Sequence, residues 1–184
     1  MRVLVTTLLC AGCVFAQKPA AVPVKATNVQ NAMMFDKQLF VLKFVDQNKV
    51  VQLNEYYLRE ETPENWTRMI SATVFLINKT PGEMATQMER DLLQTHPDAP
   101  HDLRVTPDGQ HALLMCLNWS GDREKTGEFD VFRFEKHPRG ILGYQLSLRP
   151  YQAKISAEDY KALRLRWAQT IQTMSFPEVL LKMP

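Results

Sequence analysis

Glycine is scarce in this sequence, at 7 of 184 residues. No GxGxxG and no Walker-type run occurs, so the backbone loops that cradle phosphates are missing and nucleotide chemistry is not expected. GxSxG, HExxH and CxxC are absent too, which removes the common serine-hydrolase, zinc-protease and thiol-redox signatures. Three cysteines are too few for a disulfide framework. Charge of one sign is not in excess: 22 basic side chains against 20 acidic ones leave +2. Such a balance offers no basic stripe for nucleic acid. No apolar run reaches the ~20 residues of a membrane-spanning helix. What is there is ordinary for a packed domain: 45% of the residues are hydrophobic and 23% are charged.

The first residues have the layout of a secretory signal peptide. Arg2 supplies a short positive start, residues 3–15 are uncharged and mostly apolar, and Ala16 is a small residue at the expected cleavage point. The expected leader is residues 1–16, and the product is exported to the periplasm or beyond. Leu9, Cys10, Ala11, Gly12 and Cys13 also approach a bacterial lipobox, with Cys10 at a position where Leu is usual. The alternative is therefore a protein anchored to a membrane through a lipid on Cys13. Residues 17–36 contain prolines and a polar Asn/Gln patch without periodicity, and read as a flexible tether.

The folded domain is expected over residues 37–184. Residues 38–45 and 50–58 alternate as two strands of a hairpin, with Phe40, Leu42 and Phe44 on one face. Residues 66–77 form the next strand, with Trp66, Ile70, Val74 and Leu76 on one parity and Met69, Phe75 and Ile77 on the other. Thr80, Pro81 and Glu83 predict a helix start with a capping box, followed by an apolar stripe of Met84, Met88 and Leu92. Pro97 ends that helix. Strands are predicted over 111–119, 128–135 and 141–149. A second helix begins at Ser156, carries Tyr160, Leu163, Trp167, Ile171 and Met174, and stops at Phe176 and Pro177. The order predicts an α+β fold: an antiparallel sheet of about six strands with two amphipathic helices packed on it.

His96, Asp98, His101 and Asp102 crowd two imidazoles and two carboxylates into seven residues, and all four are legitimate divalent-metal ligands. The bland reading is a proline-stiffened polar loop. Glu61 and Glu64 sit just before Trp66, and Trp119 stands just before Arg123. If these strand ends meet, Glu61, Glu64, Trp66, Trp119 and Arg123 form one recognition surface. Cys116 lies in an apolar strand and reads as a buried, inert thiol. No cofactor is implied.

The element order across residues 37–176 resembles the PsbP/Mog1-like fold. The segment Tyr56-Tyr-Leu-Arg-Glu-Glu-Thr-Pro-Glu-Asn-Trp-Thr-Arg-Met69 is similar to small exported bacterial proteins. The resemblance implies an architecture and no catalytic residue. Together these readings predict a non-catalytic exported binding or accessory protein of the cell envelope. It would recognise a protein partner or a small apolar ligand. A hydrolase with an unrecognised site and a metal-binding accessory protein are the alternatives.

Overall fold

The computed structural model describes residues 31–119, 127–151 and 156–174. The expected leader with Cys10 and Cys13, most of the tether, Arg123, and the stop at Phe176 and Pro177 lie outside the described residues. The elements run β1 (Ala32–Phe35), β2 (Gln38–Gln47), β3 (Val51–Leu58), β4 (Arg68–Phe75), α1 (Pro81–Thr95), β5 (His101–Val105), β6 (His111–Trp119), β7 (Gly127–His137), β8 (Gly140–Tyr151) and α2 (Ala157–Thr173). The class is α+β, with antiparallel pairing throughout.

The sheet has eight strands, not about six, in the order β1-β2-β3-β4-β8-β7-β6-β5. The two additional strands are its edges. β1 lies inside the stretch expected to be tether, so the ordered chain starts earlier than residue 37. Asp36 and Lys37 take positive φ (46° and 62°) and close a two-residue hairpin onto β2. That turn type favours Asn-Gly or Asp-Gly, and Asp-Lys gave no such signal. β5 absorbs His101 and Asp102 from the supposed loop. Its charged residues fit an edge strand, where one side of the backbone is unpaired.

Two four-stranded meanders meet in the middle. β1–β4 fold in sequence, α1 carries the chain to the far edge, and β5–β8 return until β8 zips onto β4. α1 starts as expected. The Thr80 backbone N–H donates to Glu83 Oε2 at 2.7 Å, and the Glu83 N–H donates to Thr80 Oγ1 at 3.2 Å. Its stripe of Met84, Met88 and Leu92 is buried, and the helix lies over β5, β6 and β7.

α2 covers the opposite face and touches both edges of the sheet. At one edge Phe35 of β1 stacks on Trp167 (5.8 Å between ring centres), and Asp36 pairs with Arg166 at 3.3 Å. At the other, Asp102 of β5 pairs with Arg164 at 2.9 Å. A flat eight-stranded sheet would hold its edges about 34 Å apart. One helix reaches both only because the sheet curls around it. Register shifts in β2 between Leu42 and Phe44, and in β7 between Gly127 and Phe129, supply local bends. The inner face is thus lined by Phe40, Leu42, Tyr56, Ile70, Leu146, Val131 and Met115, all buried.

Trp66 departs from its expected parity. β4 begins at Arg68, so strand alternation does not extend back to Trp66. Trp66 packs instead with Tyr57, Met69 and Phe44 in a small second core on the outer face.

Candidate functional site

The expected metal cluster is not assembled. His101 and Asp102 are consecutive residues of β5, and consecutive strand side chains point to opposite faces. His101 turns outward to Glu89 of α1, with Nε2 3.5 Å from Oε1, while its Nδ1 lies 2.9 Å from the Ala99 carbonyl oxygen. Asp102 turns inward to Arg164 and Arg104. His96 packs its ring 4.3 Å from that of Trp119, and Asp98 is exposed. Among the described residues no group of three or more His, Cys, Asp or Glu side chains is placed to hold a metal ion.

The expected recognition residues are partly brought together. Antiparallel order sets the start of β4, the end of β8, the start of β7 and the end of β6 at the same end of the sheet. Trp66 and Trp119 therefore flank one end, with β8 and β7 between them. Glu61 is spent locally: its Oε1 accepts from the Thr67 N–H at 2.8 Å and from the Thr67 hydroxyl, and its carbonyl accepts from Lys43 Nζ. Glu64 is exposed on the loop before Trp66. Trp66 and Trp119 are themselves buried, at 8% and 9% exposure.

Between the two tryptophans lies a cluster that the sequence reading passed over. Glu128 and Asp130 alternate along β7 and share the outer face. Asp130 sits in register with Cys116 on one side and Ser147 on the other. Asp130 Oδ1 accepts from Gln145 Nε2 at 3.1 Å and from the Ser147 hydroxyl, and Oδ2 accepts from Asn118 Nδ2. Gln145 Nε2 also donates to Ser147 Oγ at 2.7 Å, and the Ser71 hydroxyl donates to Gln145 Oε1 at 3.4 Å. Glu128 Oε2 accepts from Arg149 Nε at 2.7 Å and from Nη2 at 2.5 Å. The Arg149 guanidinium lies over the Trp66 ring, 4.0 Å from its centre. Arg149 is thus held in a stack between an aromatic face and a carboxylate.

Asp130 is fully buried and Glu128 is 7% exposed. Burial and the neighbouring Asp130 charge push Glu128 up to about 8, against the pull of Arg149. Burial raises Asp130 as well, opposed by its hydrogen bonds to Ser147 and Gln145. Two carboxylates this close do not both ionise near neutrality, so the pair keeps a proton that joins them by a hydrogen bond. Burial first, and then the Asp130 and Glu128 charges, push the Cys116 thiol well up, so it is an inert buried group as expected.

A signal for this cluster was present. Phe132 and Phe134 share the parity of Glu128 and Asp130, while Phe129 and Val131 occupy the other. A strand covered on both faces buries whatever stands on either parity, carboxylates included.

Two surface depressions lie away from it. One, of about 350 Å³, is lined by Arg104, His111, Arg133, Glu135 and Gln172. Arg133 is already engaged there, donating to the Ile171 carbonyl at 2.9 Å and closing the end of α2. The other, of about 570 Å³, lies at the start of α1 beside Thr80, Glu83, Gln87 and Gly109, where the capping box already satisfies the helix end.

A protein-family model matches residues 27–176, a span that contains every element from β1 to α2. No curated protein matches the chain.

Proposed function

We propose that this chain, which belongs to the family whose model spans residues 27–176, is a non-catalytic binding protein of the bacterial envelope. In this reading the leader at residues 1–16 exports it. The end of the sheet carrying Trp66, Arg149 and Trp119 docks a protein partner. The observation that carries the reading is the Arg149 stack: an arginine fixed between Trp66 and Glu128, still 21% exposed along its side chain. Trp and Arg are the residue types that anchor protein interfaces, and rigid anchors lose little entropy on binding. The exposed loop residue Glu64 stands beside this end.

A hydrolase reading would draw first on the carboxylate pair Glu128 and Asp130. Asp130 has both oxygens occupied by Asn118, Gln145 and Ser147 and no exposed surface. A general acid or base must reach the proton it moves within hydrogen-bond distance of substrate. A binding role asks for no such access.

A photocrosslinking side chain placed at Glu64 tests the proposal in the native host, with the exposed α2 position Lys161 as control. A defined partner band at Glu64, absent at Lys161 and lost on adding Arg149→Ala to a still-folded chain, is the expected result. Equal labelling at both positions, or none at Glu64, overturns it.

A further inference from the structure

β5 is an edge strand, and the bonds around it show which of its backbone groups face outward. The Leu117 N–H donates to the Pro100 carbonyl at 2.9 Å, and the Thr106 N–H donates to the His111 carbonyl at 3.0 Å. The register runs from His101↔Cys116 to Val105↔Ala112, so the residues bonded to β6 are 100, 102, 104 and 106. Bonding sides alternate along an antiparallel strand. The N–H and C=O groups of His101, Leu103 and Val105 therefore point away from the sheet. Among the described residues no backbone bond reaches them. Neither helix closes this edge. α1 lies over the outer face of β5, β6 and β7, while α2 packs on β6 and β7 and reaches β5 through the Arg164–Asp102 pair.

An open row of this kind accepts another strand. The order His-Asp-Leu-Arg-Val in β5 selects which one. A second copy related by a two-fold axis runs antiparallel to the first and bonds to it through residues 101, 103 and 105. Registers that engage two or three of these residues are centred on Asp102, Leu103 or Arg104. The first sets Asp102 opposite its own counterpart, and the last does the same with Arg104. Like charges directly opposite destabilise a strand pair. Centred on Leu103, each Asp102 faces the Arg104 of the other copy, at positions where facing side chains come closest. Within one copy Arg104 and Arg164 both bond Oδ2 of Asp102, which leaves Oδ1, among the described residues, for the second copy's Arg104. The Arg104 side chain is 54% exposed and within reach. On the outer face Leu103 meets its counterpart, and Val105, 42% exposed, is covered by the second copy's His101.

We propose that β5 is a self-association edge. Two copies join β5 to β5 about a two-fold axis at Leu103, and their eight-stranded sheets become one continuous sheet. The outward N–H and C=O groups of His101, Leu103 and Val105 in both copies are then bonded across the axis. The same patch serves both copies, so the symmetry closes the assembly at a dimer. The contact is small and belongs with weak, reversible interfaces. β5 is the far edge of the sheet from β1, and the proposal does not rest on the partner surface at Trp66 and Arg149.

Sedimentation equilibrium of the purified full chain, from about 1 to 500 µM, tests it. A monomer–dimer equilibrium without larger species is expected. Arg104→Asp sets acid against acid at both facing pairs, and Asp102→Lys sets base against base. Each weakens dimerisation at least about tenfold, because two attractive pairs become repulsive. An equimolar mixture of the two variants restores association as a heterodimer, since every acid then faces a base. Leu103→Pro removes the N–H at the axis and no bond to β6, as edge strands tolerate, and gives a folded monomer; it decides the matter if a charge variant does not fold. A parent chain that stays monomeric overturns the proposal and leaves the edge to an extended peptide of another protein. A dimer unchanged by Arg104→Asp or Leu103→Pro overturns it too, as does a species larger than a dimer or a mixture of folded variants that does not associate.

Discussion

Replacing Glu128 by Gln isolates the proton held by the buried carboxyl pair. Glu128 is raised from its ordinary value of 4.5 to about 8 by burial and by Asp130. Unfolding returns it to water and to its ordinary value. Below pH 4.5 both states hold the proton, and the stability it confers is fully present. Between 4.5 and 8 the folded state holds a proton that the unfolded state has lost. Stability therefore falls as pH rises, by up to about 1.4 kcal/mol per pH unit. Across the whole window the loss is about 5 kcal/mol, on the order of a third or more of the stability of a typical domain. Gln has the shape of the protonated acid and cannot ionise. The expected outcome is that Glu128→Gln matches the parent near pH 4.5 and becomes progressively more stable than it towards pH 8. Urea denaturation at steps across this range measures the difference. Infrared spectra add an independent readout, since a protonated carboxyl band present at pH 7 disappears in the variant. Parallel stability curves for parent and variant would refute the reasoning, because they would mean that Glu128 titrates alike in both states.

Arg149→Ala strips Trp66 of its cation and leaves Glu128 without a counter-ion. A loss of about 3 kcal/mol is expected at pH 8, shrinking towards pH 5 as Glu128 takes up its proton, again by urea denaturation. Thr80→Ala removes one half of the capping box of α1 and costs about 1 kcal/mol in the same assay. Gly140 has φ +142°, and a Cβ there would drive into the Phe75 carbonyl oxygen. Gly140→Ala is thus expected to lower stability by at least about 2 kcal/mol, seen as a fall in thermal midpoint. Cys116 is buried with its pKa raised, so a thiol reagent at pH 8 labels it only after denaturant is added; rapid labelling at Cys116 in the folded chain, located by peptide mapping, would contradict its burial.

The local chemistry of the chain was sufficient for the long elements. The apolar run over residues 111–119, the alternation over 141–149, the capping box at Thr80, and the 84, 88, 92 stripe each express a rule that acts within a few residues. They yielded the α+β class and six of the eight strands. β1 and β5 escaped because their strand character comes from pairing. Four residues closed by an Asp-Lys turn, and five residues at an edge that include Asp102 and Arg104, carry little propensity of their own; hydrogen bonds to β2 and β6 make them strands. The same pairing dissolved the metal cluster, since placing His101 and Asp102 in one strand sends them to opposite faces. Trp66 and Trp119 were legible as candidates, but their common end of the sheet follows from the return of β8 onto β4. Glu128, Asp130 and Arg149 stand out only when three strands are side by side, because a raised carboxyl requires neighbours that are remote in sequence. The curl that brings Tyr56 and Trp167 to one interior belongs to the tertiary structure alone: a sequence records which residues are apolar, and the contact of α2 with both sheet edges decides what they enclose.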